Sequence, residues 1–225
     1  MDAATHLSVI KILFFMGLIP TLKIMPITIA LSLLIGIVGG IVRFYRVPLL
    51  HQCLGFYISI IRGTPILLLY FVSYFIVFAG RQDPKLATIV TLVACNGGYA
   101  IEIVKGGLQA VDQGQKDAAK SVAMSGLQSL YYIVLPQSIL IIAPALVGQL
   151  ILLIKSTALA SAIGFVEITR TGTQLMQTLK RPLEVYFYVA LFYFALCHLL
   201  KLVADRLEKK SCEKIIGRPE EVKIM

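Results

Sequence analysis

Charge is what this sequence has least of. Only 15% of its 225 residues are charged and 58% are hydrophobic, whereas an ordinary soluble domain carries about a quarter charged residues. With a mean hydropathy of +0.84, too few polar side chains remain to cover a soluble globule. A water-soluble fold is excluded on that ground, and the bilayer becomes the natural solvent. Cysteine is scarce and scattered: Cys53, Cys95, Cys197 and Cys212 show no CxxC spacing and no neighbouring histidine cluster. That excludes a disulfide framework and a zinc site. The cysteines are expected to be small buried apolar residues, with Cys212 an exposed thiol in a reducing compartment.

Other absences narrow the chemistry. His6, His51 and His198 stand alone, so no metal site is built from them, and no Ser/His/Asp or Cys/His arrangement points to covalent catalysis. No GxxxxGK[ST] phosphate loop is present, so the chain does not cradle a nucleotide itself. The N-terminus lacks a basic region followed by a short apolar core and a small-residue cleavage site, and no removable signal peptide is expected. Net charge is +9. In a chain this apolar, the basic residues are read as markers of cytoplasmic loops, and no nucleic-acid partner is expected.

Long apolar runs are what the chain does have. A spanning helix needs about 20 largely apolar residues, because hydrocarbon offers no partner for backbone polar groups. Charge-free windows give five such segments, at about 20–43, 55–79, 86–104, 134–154 and 185–205. The run from Leu7 to Met16 ends before Gly17 and Pro20 and is expected to lie along the interface. Gly36 and Gly40 form a GxxxG pair, which lets another helix backbone approach closely. An odd number of spans puts the termini on opposite sides. With the C-terminus cytoplasmic, 12 basic residues fall inside and 8 outside, which favours N-out/C-in. The expectation is an all-α integral membrane helical bundle forming one domain over 1–225, with a core at about 17–206 and a basic cytoplasmic tail at 207–225 facing anionic lipid.

Two long connections stand out, 106–135 inside and 155–184 outside, and long loops in a compact bundle are usually functional. In the first, Asp112 and Gln115 have capping-box spacing. Ala119, Ala123, Gly126 and Leu130 would share one small or apolar helix face, with Lys116, Asp117, Lys120 and Gln128 elsewhere. Such a helix suits a groove on another protein or a bed of lipid headgroups. Leu135-Pro136 is expected to turn the chain into the fourth span.

This segment resembles the EAA loop of ABC-importer permease subunits. Asp117, Ala118, Ala119, Ala123, Ile133, Leu135 and Pro136 fall at the spacing of that pattern, with Asp117 in place of Glu and Ala123 in place of Gly. The second departure puts the bend of the helix in question, because Ala resists conformations that Gly adopts; Gly126 is expected to take it over. Phe56 to Pro65, ending Ile61-Arg62-Gly63-Thr64-Pro65, is similar to the FIRGTP signature of polar amino acid permeases of the histidine/arginine/glutamine type. Tyr99 to Gly107 resembles their AEIVRGG segment, Lys155 to Ala160 their KNTSLA segment, and Gly164, Glu167, Thr169 and Arg170 a GxxELTR-like stretch.

The resemblance implies five spans, a dimer with a second permease subunit, identical or different, and a separate dimeric ABC ATPase that holds ATP and Mg. It also implies an extracytoplasmic amino-acid-binding protein, and a cytoplasmic-membrane location in a bacterium. The ATPase would dock at a coupling helix carrying Asp117, Ala118, Ala119, Ala123, Gly126, Leu135 and Pro136. No cofactor is expected in this chain, and it is not expected to be an enzyme.

A zwitterionic cargo needs a cation for its carboxylate and an anion for its ammonium, and ionisable residues at membrane depth are functional candidates. Glu102 and Glu167 are the available acids; Arg62, Thr64, Lys155, Ser156 and Thr157 are the other pathway candidates. Each has a plainer reading: Arg62 anchoring a span or pairing with Glu102, Glu102 bridging helices, Glu167 holding the external loop with Thr169 and Arg170. Gln174, Met176 and Gln177 are read as packing residues. Two other functions compete, an ion-gradient transporter or channel with broken helices and a membrane scaffold that transports nothing. The EAA-like helix and the lack of paired inverted halves argue against the first.

Overall fold

The computed structural model describes residues 2–81 and 83–216. Among the described residues there are eight helices and no strand: α1 (Ala4–Phe44), α2 (Leu50–Gly63), α3 (Ile66–Val77), α4 (Pro84–Ala110), α5 (Gln113–Ser121), α6 (Gly126–Ile163), α7 (Ile168–Leu179) and α8 (Pro182–Ile216). Helices α1, α4, α6 and α8 are each long and apolar enough to cross a membrane, and α2 with α3 makes a fifth span if the bent pair counts as one. The expected basic tail is helical to Ile216, and 217–225 lie outside the described residues.

Proline acts differently at different places in this chain. Between α2 and α3 the chain turns by 108°, so the expected second span is broken rather than straight. The cause is local: Pro65 has no amide hydrogen, and Thr64 before it is driven to an extended conformation, φ −110° and ψ 131°. Pro20 and Pro136 break nothing. Each follows a widened π-helical turn by two residues, Leu13–Leu18 before Pro20 and Leu130–Val134 before Pro136. A π turn shifts the register of carbonyl groups, which lets the helix pass the missing donor.

Two expectations fail for that reason. The N-terminal run does not lie apart along the interface but continues into the first span as a single helix of 41 residues, about 60 Å long. Leu135-Pro136 does not begin the fourth span, which already starts at Gly126.

Apolar burial gives little drive for helices to associate in lipid, so close packing must supply it. The most extensive helix contact is between α1 and α4, and glycine makes it. A Cβ at Gly36 would lie 2.5 Å from the Ala100 Cβ, and one at Gly40 would lie 2.6 Å from the Val104 Cγ1. The GxxxG pair is therefore consumed within the chain. Three clusters fill the interior: Ile24, Tyr70, Leu92 and Leu153 at the centre; Val104, Leu108, Leu130 and Val134 towards α5; and Val9, Leu13, Ile168 and Val189 towards α7.

Helix α1 orders the two ends. Its first turns pack on α7 and α8, with the Tyr188 hydroxyl 2.9 Å from His6 Nδ1, while at its far end Tyr45 donates to the Gly126 carbonyl at 2.9 Å. The segments 106–135 and 155–184 thus lie at opposite ends of the bundle. Of the cysteines, Cys95 is buried as expected, Cys53 is exposed on the flank of α2 and Cys197 is half-buried; the Cys212 side chain lies outside the described residues.

Candidate functional site

The break between α2 and α3 opens a cavity of about 800 Å³. Residues 61–66 form one wall, α4 adds Cys95, Asn96 and Tyr99, and α6 adds Gln149, Leu152, Lys155, Ser156, Ala158 and Leu159. Helical spacing places Asn96 and Tyr99 on one face of α4, and Gln149, Leu152, Lys155 and Ser156 on one face of α6. Gln149 Nε2 donates to Asn96 Oδ1 at 3.0 Å, and Asn96 Nδ2 donates to the Leu92 carbonyl at 2.9 Å. Arg62 lies over the Tyr99 ring at 5.9 Å. The Tyr70 hydroxyl donates to the Ser156 carbonyl at 3.1 Å and ties α3 to α6.

Four of the seven pathway candidates meet here: Arg62, Thr64, Lys155 and Ser156. Three do not. Thr157 points into the interior, fully buried, with its hydroxyl donating to the Ile154 carbonyl at 2.6 Å. Glu102 lies outside the cavity lining, between Arg43 at 3.5 Å and Lys105 at 3.7 Å; its partner is Arg43 rather than Arg62. Glu167 is fully enclosed at the start of α7, where its carboxylate accepts from the Thr169 amide at 2.7 Å, the Arg170 amide at 2.6 Å and the Tyr193 hydroxyl at 2.7 Å. Arg170 does not pair with it but donates to the Ser161 carbonyl at 3.1 Å. Enclosure pushes the Glu167 carboxyl above its ordinary range, and these hydrogen bonds oppose the shift. Gln174 and Gln177 are exposed rather than packed, and Met176 is half-buried.

The Asn96–Gln149 pair was not anticipated, because counting charges passes over neutral amides. The signal was there: an amide side chain in each of two otherwise apolar windows needs a partner in hydrocarbon.

The other candidate segment, α5 to the start of α6, sits at the polar end. Asp112 precedes α5 but makes no side-chain cap, so the expected capping box is absent. A capping box does form at Ser125 and Gln128, opening α6: Ser125 Oγ accepts from the Gln128 amide at 3.3 Å, and Gln128 Oε1 accepts from the Ser125 amide at 2.8 Å. The expected stripe from Ala119 to Leu130 is divided, because α5 ends at Ser121 and Ala123 takes a left-handed conformation, φ 56°. The bend stays at Ala123, and Gly126 is helical.

Ala119 is 1% exposed and faces its own chain, while Ala118 and Ala123 are exposed. Asp117 pairs with Lys120 at 3.1 Å; hydrogen bonds from Lys120 and Gln113 hold its carboxyl below the ordinary range. Leu135 is half-buried and Pro136 exposed. The outward apolar groups are Val122, Leu127, Tyr131 and Tyr132, each about two-thirds exposed or more. Periodicity hid them, since it took the segment as one continuous helix.

A bundle of up to five candidate spans, an apolar span broken beside a cavity that holds Arg62, Asn96, Gln149 and Lys155, and an exposed end with outward apolar residues fit a multi-pass transport protein. Residues 32–211 match the family described as binding-protein-dependent transport system inner membrane component. The chain belongs to that family, the permease subunits of ABC importers, and is a transport subunit of the bacterial cytoplasmic membrane rather than an enzyme.

It is 34% identical over 222 residues to the L-cystine transport system permease protein TcyL of Bacillus subtilis, covering 88% of this chain and 91% of that one. It is 31% identical over 194 residues to the glutamine transport system permease protein GlnP of Escherichia coli K12, covering 84% and 89%. A crystal structure of an amino acid ABC transporter with histidines superposes with a TM-score of 0.86 at 28% identity, covering 93% of this chain and 99% of that one. The methionine ABC transporter MetNI, in an inward-facing form, shares the fold, with a TM-score of 0.77 at 20% identity over 88% and 96% of the two chains.

Proposed function

We propose that this permease carries polar amino acids inward through the cavity at the α2–α3 break, by alternating access driven by a separate ATPase. In this reading it pairs with a second permease subunit, and an ABC ATPase dimer holding ATP and Mg docks at the α5 end. That end faces the cytoplasm, and the N-terminus and α7 face outward towards an amino-acid-binding protein. The amino-acid relatives support the cargo class. The observation that carries the reading is the course of α6. One helix runs from the exposed end, where Gly126 meets Tyr45, to the cavity wall at Lys155 and Leu159.

Such a rod makes a displacement at one end felt at the other. Docking on Val122, Leu127, Tyr131 and Tyr132, beside Asp117, Ala118 and Ala123, would move α5 with the ATPase as nucleotide binds and leaves. Leu135 and Pro136, just beyond the π turn, pass the motion into α6. Arg62, Thr64, Lys155 and Ser156 would then be exposed to alternate sides. The two states must differ in their contacts with cargo or ATPase, or no coupling results.

The test is ATP-dependent uptake of a labelled amino-acid panel into vesicles holding this chain with its partner subunits. Ala119→Arg is a poor probe, since Ala119 is buried against its own chain. Leu127→Asp, at a side chain 75% exposed, is expected to abolish uptake and cargo-stimulated ATP hydrolysis while the permease still inserts. Uptake that persists without ATPase or ATP would overturn the reading in favour of ion-gradient transport.

A further inference from the structure

Among the described residues, the cavity at the α2–α3 break is lined by two cations and by no carboxylate. Arg62 and Lys155 form no ion pair among the described residues. Its other polar side chains, on Thr64, Cys95, Asn96, Tyr99, Gln149 and Ser156, are neutral. The acids that could have balanced it are engaged elsewhere, Glu102 with Arg43 and Lys105, and Glu167 beneath α7. Lys155 also lines a second cavity, of about 340 Å³, with His198 and Lys201, again without an acid among the described residues.

Uncompensated cations at membrane depth are costly unless a counter-charge arrives. Here the counter-charge comes with the cargo. An α-carboxylate satisfies one of the two cations and leaves the other. A side-chain carboxylate would satisfy the second, and a neutral amide could hydrogen-bond at the Asn96–Gln149 pair. A cationic side chain would add a third like charge with no acid to receive it. The α-ammonium meets partial negative charge at the end of α2, where Thr64 leaves the helix and the last carbonyls lose their helical partners.

We propose that this cavity selects cargo by charge, accepting amino acids with acidic or neutral polar side chains and rejecting those with cationic ones. The proposal rests on the amino-acid permease reading and narrows it, since it sets cationic side chains apart from the cargo range the motifs suggest.

The experiment is ATP-driven uptake of labelled glutamate, glutamine and arginine into vesicles holding the full complex, with wild type, Lys155→Gln and Lys155→Arg. The binding protein is common to all three, so a changed ratio between cargoes reports the cavity. Wild type should take up glutamate and glutamine at least about tenfold faster than arginine, and Lys155→Gln should raise the arginine-to-glutamate ratio about tenfold while Lys155→Arg keeps it.

Arginine uptake equal to glutamate in wild type, or a ratio unchanged by Lys155→Gln in a complex that still transports glutamine, overturns charge selection and leaves the permease reading standing. Where Lys155→Gln fails to assemble, Arg62→Gln takes its place, with the same rise in the arginine-to-glutamate ratio expected and an unchanged ratio overturning charge selection. No ATP-driven uptake of any of the three by wild type overturns the permease reading and the proposal with it.

Discussion

At the start of α7, Glu167 is fully enclosed and takes two backbone amide hydrogens and the Tyr193 hydroxyl; at the start of α5, Asp112 holds the same position before a helix and caps nothing. Both are carboxylates at a helix start, where the dipole favours them. Enclosure separates them. In the enclosed case every donor has one available acceptor, and removing it strands them all; in the exposed case water serves equally well. The α7 end is thereby fixed in place. The α5 end has no such buried acceptor; beside its apolar cluster it is joined to the end of α1 by Tyr45 on the Gly126 carbonyl and by Lys116 over the Phe44 ring at 5.7 Å.

The largest effect is expected at the enclosed carboxylate. Glu167→Ala should destabilise the permease by about 3 kcal/mol, because two amides and a hydroxyl lose their acceptor in a dry site. Thermal unfolding in nanodiscs reads this, and a loss below about 1 kcal/mol would erase the contrast between the two ends.

A smaller effect of opposite sign is expected at the bend after α5. Ala123 holds φ at 56°, a conformation that costs a side-chain-bearing residue roughly 1–2 kcal/mol and costs glycine nothing. Ala123→Gly should therefore stabilise the fold, by about 0.5–1 kcal/mol after the added freedom of the unfolded chain is set against the relief. The same unfolding measurement decides it. Destabilisation would show that the exposed end depends on the alanine methyl.

The smallest effect is expected at Asp117, whose ion pair with Lys120 is open to water. Asp117→Asn should leave the melting temperature at pH 7 unchanged within error. Because the folded-state carboxyl is held below its unfolded value, any contribution it makes is present above about pH 4 and is lost as pH falls through the lowered value. A wild-type advantage that grew on acidification would contradict that sign.

The spans were legible because hydrocarbon imposes a simple rule, a run of apolar residues long enough to cross, and all five windows overlap observed helices. What charge counting could not read was continuity. Gly17 with Pro20, and Leu135 with Pro136, look like breaks but are bridged by π turns, whereas Gly63-Thr64-Pro65 looks similar and turns the chain by 108°. The break is made locally, where Thr64 is extended before Pro65, while Gly17 stays helical and admits the α7 backbone, since a Cβ there would lie 2.9 Å from the Ile168 Cα. At the site, reading the ionisable and polar residues of the apolar segments picked out Arg62, Thr64, Lys155 and Ser156, which line one cavity. The same reading also gave Glu102 and Glu167, which lie outside that lining with partners of their own, and which neighbours hold an acid is not legible from the sequence. The exposed apolar group around Val122 and Leu127 was missed because one residue, Ala123, changes helical phase.

The long first helix has a consequence for the order in which the protein is made. His6 meets Tyr188 across 182 residues of chain, and Val9 and Leu13 lie in one cluster with Ile168 and Val189. At roughly 5–20 residues per second of synthesis, the first segment to leave the ribosome waits about 10–40 s for its packing partners to exist. Throughout that interval its first turns and its π turn are open to other helices in the membrane, while the glycine seam is covered earlier, once α4 exists. Closure of the bundle is thus the last act of biogenesis, and a chain truncated before α7 would be born with the first turns of its first helix unclaimed.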